Sequence, residues 1–232
     1  MTTISIIIPT LNEAAVIGSL IVFLKEHSNG LVKEIIVSDG GSTDETVTLA
    51  LEAGAKIAQS PAKGRSAQMN FGAGIATGEL LYFVHADTYP PSSYAKDISE
   101  AVETGYSFGR YRTKFNSSKK ILLLNAWFTK FDLFICYGGD QTLFMRKELF
   151  NQISGFNKDM RIMEDYDIVV RAKEAKAKYK IFNKSALVSA RKYETNSWLR
   201  VQTANYIIIR MYKQGATQEE MAIRYKTLLQ YR

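Results

Sequence analysis

The sequence predicts an α/β domain built on a mostly parallel sheet with helices on both faces. Three observations carry this. Short apolar runs at residues 4–8, 34–38, 55–59 and 80–84 alternate with segments of helical periodicity, the pattern of successive βα units. The runs at 4–8 and 80–84 are apolar almost throughout, as strands covered on both faces are. The apolar character then stops abruptly near Thr10, Asp39 and Asp87, and ligands in open α/β sheets gather beyond the carboxyl ends of strands.

Taken in order, residues 4–8 form the first strand, which breaks at Pro9 and Thr10. Val16, Ile17, Leu20, Ile21 and Leu24 recur at helical spacing across 14–27. Residues 34–38 are the second strand, turned by Asp39, Gly40 and Gly41. Ser42 and Glu45 have the spacing of a capping box, predicting a helix to about residue 52. A third strand at 55–59, a small-residue helix at 64–76 and the fourth strand at 80–84 follow, with Pro90 and Pro91 closing the segment. Gly72 in that helix is read as a close-packing position. Beyond it we expect helices at 92–103, 119–134 (amphipathic and aromatic), 147–153, 166–176, 198–213 (basic) and 218–229. Strands are expected at 106–115 and 141–146, with one or two across 179–190. The expected division is a transferase-type unit over 1–195 and a helical extension over 196–232 packed on it.

The bulk composition narrows the classes. At 232 residues and 46% hydrophobic content, the chain can bury a sizeable core as one large domain or a domain with an appendage. A single cysteine, Cys136, excludes an internal disulfide framework and fits a reducing compartment. It lacks metal-ligand spacing and is read as core. No apolar run approaches the roughly 18 residues of a spanning helix, and the first run lacks the basic leader of a signal peptide. A cytoplasmic location is expected, with the inner face of the membrane left open. The net charge of +7 calls for an anionic partner and is concentrated at residues 110–120 and from 173 onward. Charge alone supports nucleic-acid binding, and no basic-aromatic motif accompanies it, so no specific nucleic acid is expected.

Several residues can carry chemistry. Asp87 at a strand end can hold a divalent cation, which in turn holds a phosphate. The alternative is a turn cap. Asn12 precedes a helix and serves equally as an N-cap, and Asp39 sits in an Asp-Gly turn. Arg65 can reach a base or a diphosphate, or simply face solvent. A helix starting near Asp165 would set Asp165, Ile168, Val169 and Ala172 on one face. That turns Asp165 inward, where desolvation makes a carboxylate a better base. Asp167 and Arg171 pair on another face. Arg191 and Lys192 follow the last strand and can contact a diphosphate; packing and an anionic membrane surface are the other readings of this basic tail.

Together these segments resemble a known family. The Pro-Thr-Leu-Asn-Glu loop at 9–13, Ser-Asp-Gly-Gly-Ser-Thr-Asp at 38–44 and the later Asp87 resemble the inverting family 2 glycosyltransferases, with their GT-A (Rossmann-like) fold. The match continues through Gly138-Gly139-Asp140-Gln141 and Met163-Glu164-Asp165 to about Ala190. Residues 189–198 are similar to a short subgroup described as selenodomain-associated glycosyltransferases. The resemblance implies a UDP- or GDP-linked sugar donor. Pro9, Thr10 and Glu13 would flank the nucleoside, Asp39 would contact the base, and Arg65 would lie beside it. Asp87 would be the final acid of the metal motif, binding Mn²⁺ or Mg²⁺. His85 stands where that motif has its first acid, with Ala86 between them. His85 is a weak ligand, a ribose contact or a buried imidazole. Asp140 and Gln141 would line the acceptor and sugar side, and Asp165 would be the catalytic base, supported by Glu164.

The expected function is therefore an inverting, hexosyltransferase-type, metal-assisted transfer to an acceptor hydroxyl. The alternative is a non-catalytic nucleotide-sugar-binding or regulatory protein. A lipid-linked or small-molecule acceptor, peripheral membrane contact and a homo-oligomer all stay open.

Overall fold

The first four strands are β1 (Ile4–Thr10), β2 (Val32–Asp39), β3 (Lys56–Gln59) and β4 (Leu80–Phe83). They pair in parallel, joined by α1 (Ile17–Glu26), α2 (Thr46–Glu52) and α3 (Arg65–Ile75). The register sets Thr10 beside Asp39 and Ile7 beside Phe83, so the carboxyl ends of β1, β2 and β4 open onto one edge. This computed structural model describes residues 2–138 and 141–229.

The later strands extend the sheet with mixed pairing. After the two-residue β5 (Thr88–Tyr89) and α4 (Tyr94–Glu103) come β6 (Phe108–Asn116), α5 (Leu122–Phe128), β7 (Leu143–Arg146), α6 (Lys147–Gln152), α7 (Glu164–Glu174) and β8 (Tyr179–Ser189). The eight strands run β3-β2-β1-β4-β7-β6-β8-β5. β7 is antiparallel to β4 and β6, β8 is parallel to β6, and β5 lies antiparallel against the end of β8. The α/β fold with a mostly parallel central sheet is as expected.

Alternate side chains of each strand reach opposite faces, and both faces are covered. Ile4, Ile6, Ile8 and Tyr82 pack under α1 and α4. Ile7, Ile36, Leu81 and Phe83 pack with Met69 and Ala73 of α3 and Ile168, Val169 and Ala172 of α7. A Cβ on Gly72 would come within 2.7 Å of Ile7 Cγ2, so α3 sits on the sheet as closely as a glycine allows. The chain ends in α8 (Lys192–Thr195), α9 (Trp198–Lys213) and α10 (Gln218–Leu228). Val201, Ala204 and Leu229 cluster with Leu122 and Tyr193, while Ile208 and Met221 close over Met163.

Three local expectations are corrected. Ser42 does not cap α2: its hydroxyl bonds Asp39, and Asp44 Oδ1 instead accepts from Thr46 N at 3.1 Å. A capping box does occur, at Thr217 and Glu220 before α10. The helix expected over 119–134 spans only Leu122–Phe128. Buried Arg110 takes the carbonyls of Thr129 (2.8 Å) and Phe131 (3.1 Å) just beyond the helix, and Thr129 Oγ1 bonds Ala126 O, so the chain is held away from further helix there. Arg110 is accordingly a structural clamp, not part of an exposed basic cluster. Residues 179–189 form one long strand, within the one or two expected, and the short β5 and α8 carried no strong periodic signal.

Candidate active site

The loops after β1 and β2 are stitched together before any ligand arrives. Asn12 adopts a left-handed backbone (φ 56°), and its side-chain oxygen accepts from Thr43 N at 2.9 Å. Ser42 Oγ accepts from Asn12 N, Thr46 Oγ1 from Glu13 N, and Asp44 Oδ2 from Ala14 N. Asn12 is therefore a clasp between loops. Asp39 is buried and accepts four hydrogen bonds, from Thr10 Oγ1, Gly41 N, Ser42 N and Ser42 Oγ at 2.5–3.2 Å. Burial opposes its charge, but the Ser42, Gly41 and Thr10 donors outweigh that and hold the carboxyl below its usual range. Gln68 of α3 braces the same loops through the carbonyls of Thr10 (2.6 Å) and Ser38 (2.9 Å).

Asp87 follows β4, and β5 pairing explains its neighbour. Thr88 opposes Val188 and Ser189 N donates to Asp87 O, which carries the residues just past β8 alongside Asp87. Arg191 then bridges two acids, at 2.8 Å from Asp87 Oδ2 and 3.3 Å from both Glu13 carboxylate oxygens. Burial works against the guanidinium's charge, but these two acids outweigh it and raise its affinity for its proton. One cation thus joins the first loop to the acid after β4. His85 is half-buried, and Pro9 and Ala86 are buried. Among the described residues no group of three or more His, Cys, Asp or Glu side chains could hold a metal ion alone. A hard dication held by one or two carboxylates completes its shell with phosphate and water. Asp87 fits a cation that arrives with a diphosphate.

The second acidic position lies at the start of α7. Met163, the residue before the helix, has φ 70°, a conformation that costs a side-chain-bearing residue about 1–3 kcal/mol. It starts the helix at Glu164, one residue before the position expected. Ile168, Val169 and Ala172 are buried on the face they share with Asp165, which is half-buried at its mouth end, and Glu164 beside it is buried as well. Glu164 lies 3.4 Å from Arg65 Nη1, so the start of α3 reaches the start of α7. Asp167 and Arg171 pair as expected.

A pocket of about 130 Å³ is lined by Arg65, Glu164, Asp165 and Lys192, with Gly138 and Tyr166 on one side. Asn205, Ile208 and Tyr225 of α9 and α10 form its roof. Neither the helical periodicity nor the basic charge of that region pointed to these roof residues as pocket lining. Gln141 is half-buried. Its amide nitrogen donates to Cys136 O at 2.8 Å, while its Oε1 is buried without a hydrogen-bond partner among the described residues. Asp140 lies outside the described residues. Cys136 is core as expected, its thiol directed at Phe128 O and pushed up by burial.

Comparison with known proteins agrees with this architecture. The family model described as Glycosyl transferase family 2 matches residues 5–159. A PGL/p-HBAD biosynthesis glycosyltransferase of Mycobacterium bovis is 31% identical over 183 residues, covering 72% of this chain and 68% of the relative. The glucosyl-3-phosphoglycerate synthase of Mycolicibacterium smegmatis is 37% identical over 99 residues, covering 38% of this chain and 32% of the relative. The chain thus spans about a third of the length of that synthase. A crystal structure of the Mycobacterium tuberculosis glucosyl-3-phosphoglycerate synthase with Mn²⁺, UDP and glucosyl-3-phosphoglycerate superposes with a TM-score of 0.66 at 18% identity, covering 93% of this chain and 81% of that one. That likeness is one of fold.

Proposed function

The chain belongs to glycosyl transferase family 2, and we propose that it is an inverting glycosyltransferase moving a hexosyl-type group from a UDP- or GDP-linked donor to an acceptor hydroxyl. One observation carries the reading. The adjacent residues Arg191 and Lys192 join two acidic positions, since Arg191 pairs with Asp87 and Glu13 while Lys192 lines the pocket with Glu164, Asp165 and Arg65. A donor whose diphosphate spans Arg191 and Lys192 would have its nucleoside toward the stitched loops and its sugar toward Asp165.

In this reading the loop of Pro9, Thr10 and Glu13 flanks the nucleoside. Asp39, saturated by its own turn, shapes the base pocket, and Arg65, His85 and Ala86 complete its wall. Arg191 and Lys192 stabilise the departing diphosphate as it takes the electron pair of the broken C–O bond. A divalent cation held by Asp87, Mn²⁺ or Mg²⁺ as in the synthase structures, would supply further positive charge there. Asp165 accepts the hydroxyl proton as the acceptor oxygen attacks the anomeric carbon from the opposite face. Glu164 and Arg65 hold the start of α7 in place. The orphan Gln141 Oε1 is suited to accept from a sugar or acceptor hydroxyl, and Asp140 is assigned to the same side. Residues 1–195 form the transferase unit and 196–232 an extension that roofs its pocket.

The test is thermal-shift binding of nucleoside diphosphates with and without Mn²⁺, on the parent and an Asp87→Ala variant, followed by NMR of the product. A selective, metal-enhanced shift lost in the variant, and an inverted anomeric product, are expected. Retention at the anomeric carbon would refute the single displacement.

A further inference from the structure

Exposed large apolar side chains concentrate around α5. Leu123, Leu124, Trp127 and Phe128 fall at i, i+1, i+4 and i+5 on its outer face, with Leu123 67% and Trp127 50% exposed. The outward pattern continues beyond the helix at Leu133 and Ile135, which bracket the inward-turned Phe134. Contiguous apolar surface of this kind marks an interaction site.

The surface is held rigidly from within. Leu122 is buried in the cluster under α9, Trp198 Nε1 donates to Asn125 Oδ1 at 2.7 Å, and Arg110 grips the carbonyls that follow the helix. Its charge selects the occupant. Besides the buried Arg110, residues 108–138 hold five Lys or Arg and one acid, Asp132. Asp132 is engaged by Lys173 and by Tyr137. Lys114 and Lys120 are exposed beside the apolar face, and Lys130 lies over the Trp127 ring at 4.1 Å from its centroid. Leucine, tryptophan and phenylalanine flanked by lysines suit the interface of an anionic bilayer. A second copy would bring lysines against lysines in a chain already at +7. Among the described residues no helix is long and apolar enough to cross a membrane, so the contact would be peripheral.

The patch also adjoins the pocket. Phe134 stacks obliquely on Tyr166 at 5.2 Å, and Tyr166 lines the pocket beside Glu164 and Asp165. We propose that the α5 surface docks on an anionic bilayer and that the acceptor is an amphiphile presenting its hydroxyl from that bilayer. The docking stands by itself; the acceptor class rests on the glycosyltransferase reading.

The test is co-sedimentation with phosphatidylcholine vesicles with or without phosphatidylglycerol, together with tryptophan emission. The expected results are binding only to anionic vesicles and a blue shift from Trp127. Leu123→Glu and Trp127→Glu should each weaken partitioning by about tenfold or more, while Leu51→Glu, at an exposed position on α2, leaves it unchanged. UDP thermal shifts of these variants should match the parent, which separates failure of docking from failure of the donor site. Three outcomes overturn the docking: no vesicle binding, binding that survives both α5 variants, or a parent dimer that these variants dissociate. If docking holds but detergent-dispersed amphiphilic hydroxyls are never glycosylated while soluble acceptors are, the acceptor class falls.

Discussion

Replacing Arg191 with alanine should move metal and nucleotide affinity in opposite directions. The guanidinium sits 2.8 Å from Asp87 Oδ2. A dication on the same carboxylate binds at about 2 Å, on the order of 5 Å from the guanidinium. Coulomb's law at the dielectric of water gives roughly 1.7 kcal/mol of repulsion at that distance, and more in a sheltered site. Arg191→Ala should therefore tighten nucleotide-free Mn²⁺ binding by about tenfold. The same change removes a charge-assisted donor to the diphosphate, worth about 1.5–3 kcal/mol, so UDP should bind roughly ten- to a hundredfold more weakly. Stability should change little, because the Arg191 side chain is more than half exposed and such pairs contribute only about 0–1 kcal/mol. Electron paramagnetic resonance of free Mn²⁺, with and without UDP, reads both affinities. Unchanged or weaker Mn²⁺ binding without nucleotide would show that Arg191 and the cation do not share Asp87.

Further outcomes follow from other contacts. Asp165→Asn should lower turnover by about 10²- to 10⁴-fold while the UDP thermal shift persists; a non-catalytic binder would show no turnover to lose. Asp39→Asn keeps a carbonyl oxygen for the Gly41 and Ser42 N–H donors but removes the charge and the acceptor that faces the Thr10 and Ser42 hydroxyls, and should cost about 1–3 kcal/mol in urea unfolding, along with nucleotide affinity. Burial opposes ionisation of Glu34, but Lys56, Thr77 and Ser5 outweigh it and hold its pKa at about 2 against an ordinary 4.5. Its contribution is complete above the unfolded value and lost as pH falls through about 2. Glu34→Gln should thus cost about 2–3 kcal/mol at neutral pH and almost nothing near pH 2, as urea midpoints would reveal. Gly109→Ala drives a Cβ to 2.4 Å from Lys180 O and should destabilise by about 1–3 kcal/mol without altering UDP affinity in the folded protein.

What the sequence disclosed depended on how local each determinant was. β1 through β4 and their helices were legible because each apolar run, turn and helical stripe lies within about twenty residues of its partners. The capping expectation at Ser42 failed because α2 starts only at Thr46, and the Ser42 hydroxyl instead donates to Asp39 and accepts from Asn12 N across the loops. At α7 the apolar positions were legible from their spacing, but the left-handed Met163 that starts the helix one residue earlier, and the burial of Glu164, carried no local signal. The aromatic stretch at 119–134 read as one amphipathic helix, yet Arg110, distant in sequence, holds the carbonyls that follow Phe128 in a non-helical course.

The link between Asp87 and Arg191 spans 104 residues and depends on two residues of β5 finding the end of β8. No periodicity signals a strand so short, although both charges were legible singly. The same strand pairing leads the chain directly into α8, where Lys192 enters the pocket, and on to the hairpin of α9 and α10 that roofs it. The diphosphate-facing cations and the pocket roof are therefore contributed by one late segment hung from β8. Loosening β5 should then disturb donor binding and pocket closure together, even though neither residue of β5 lines the pocket.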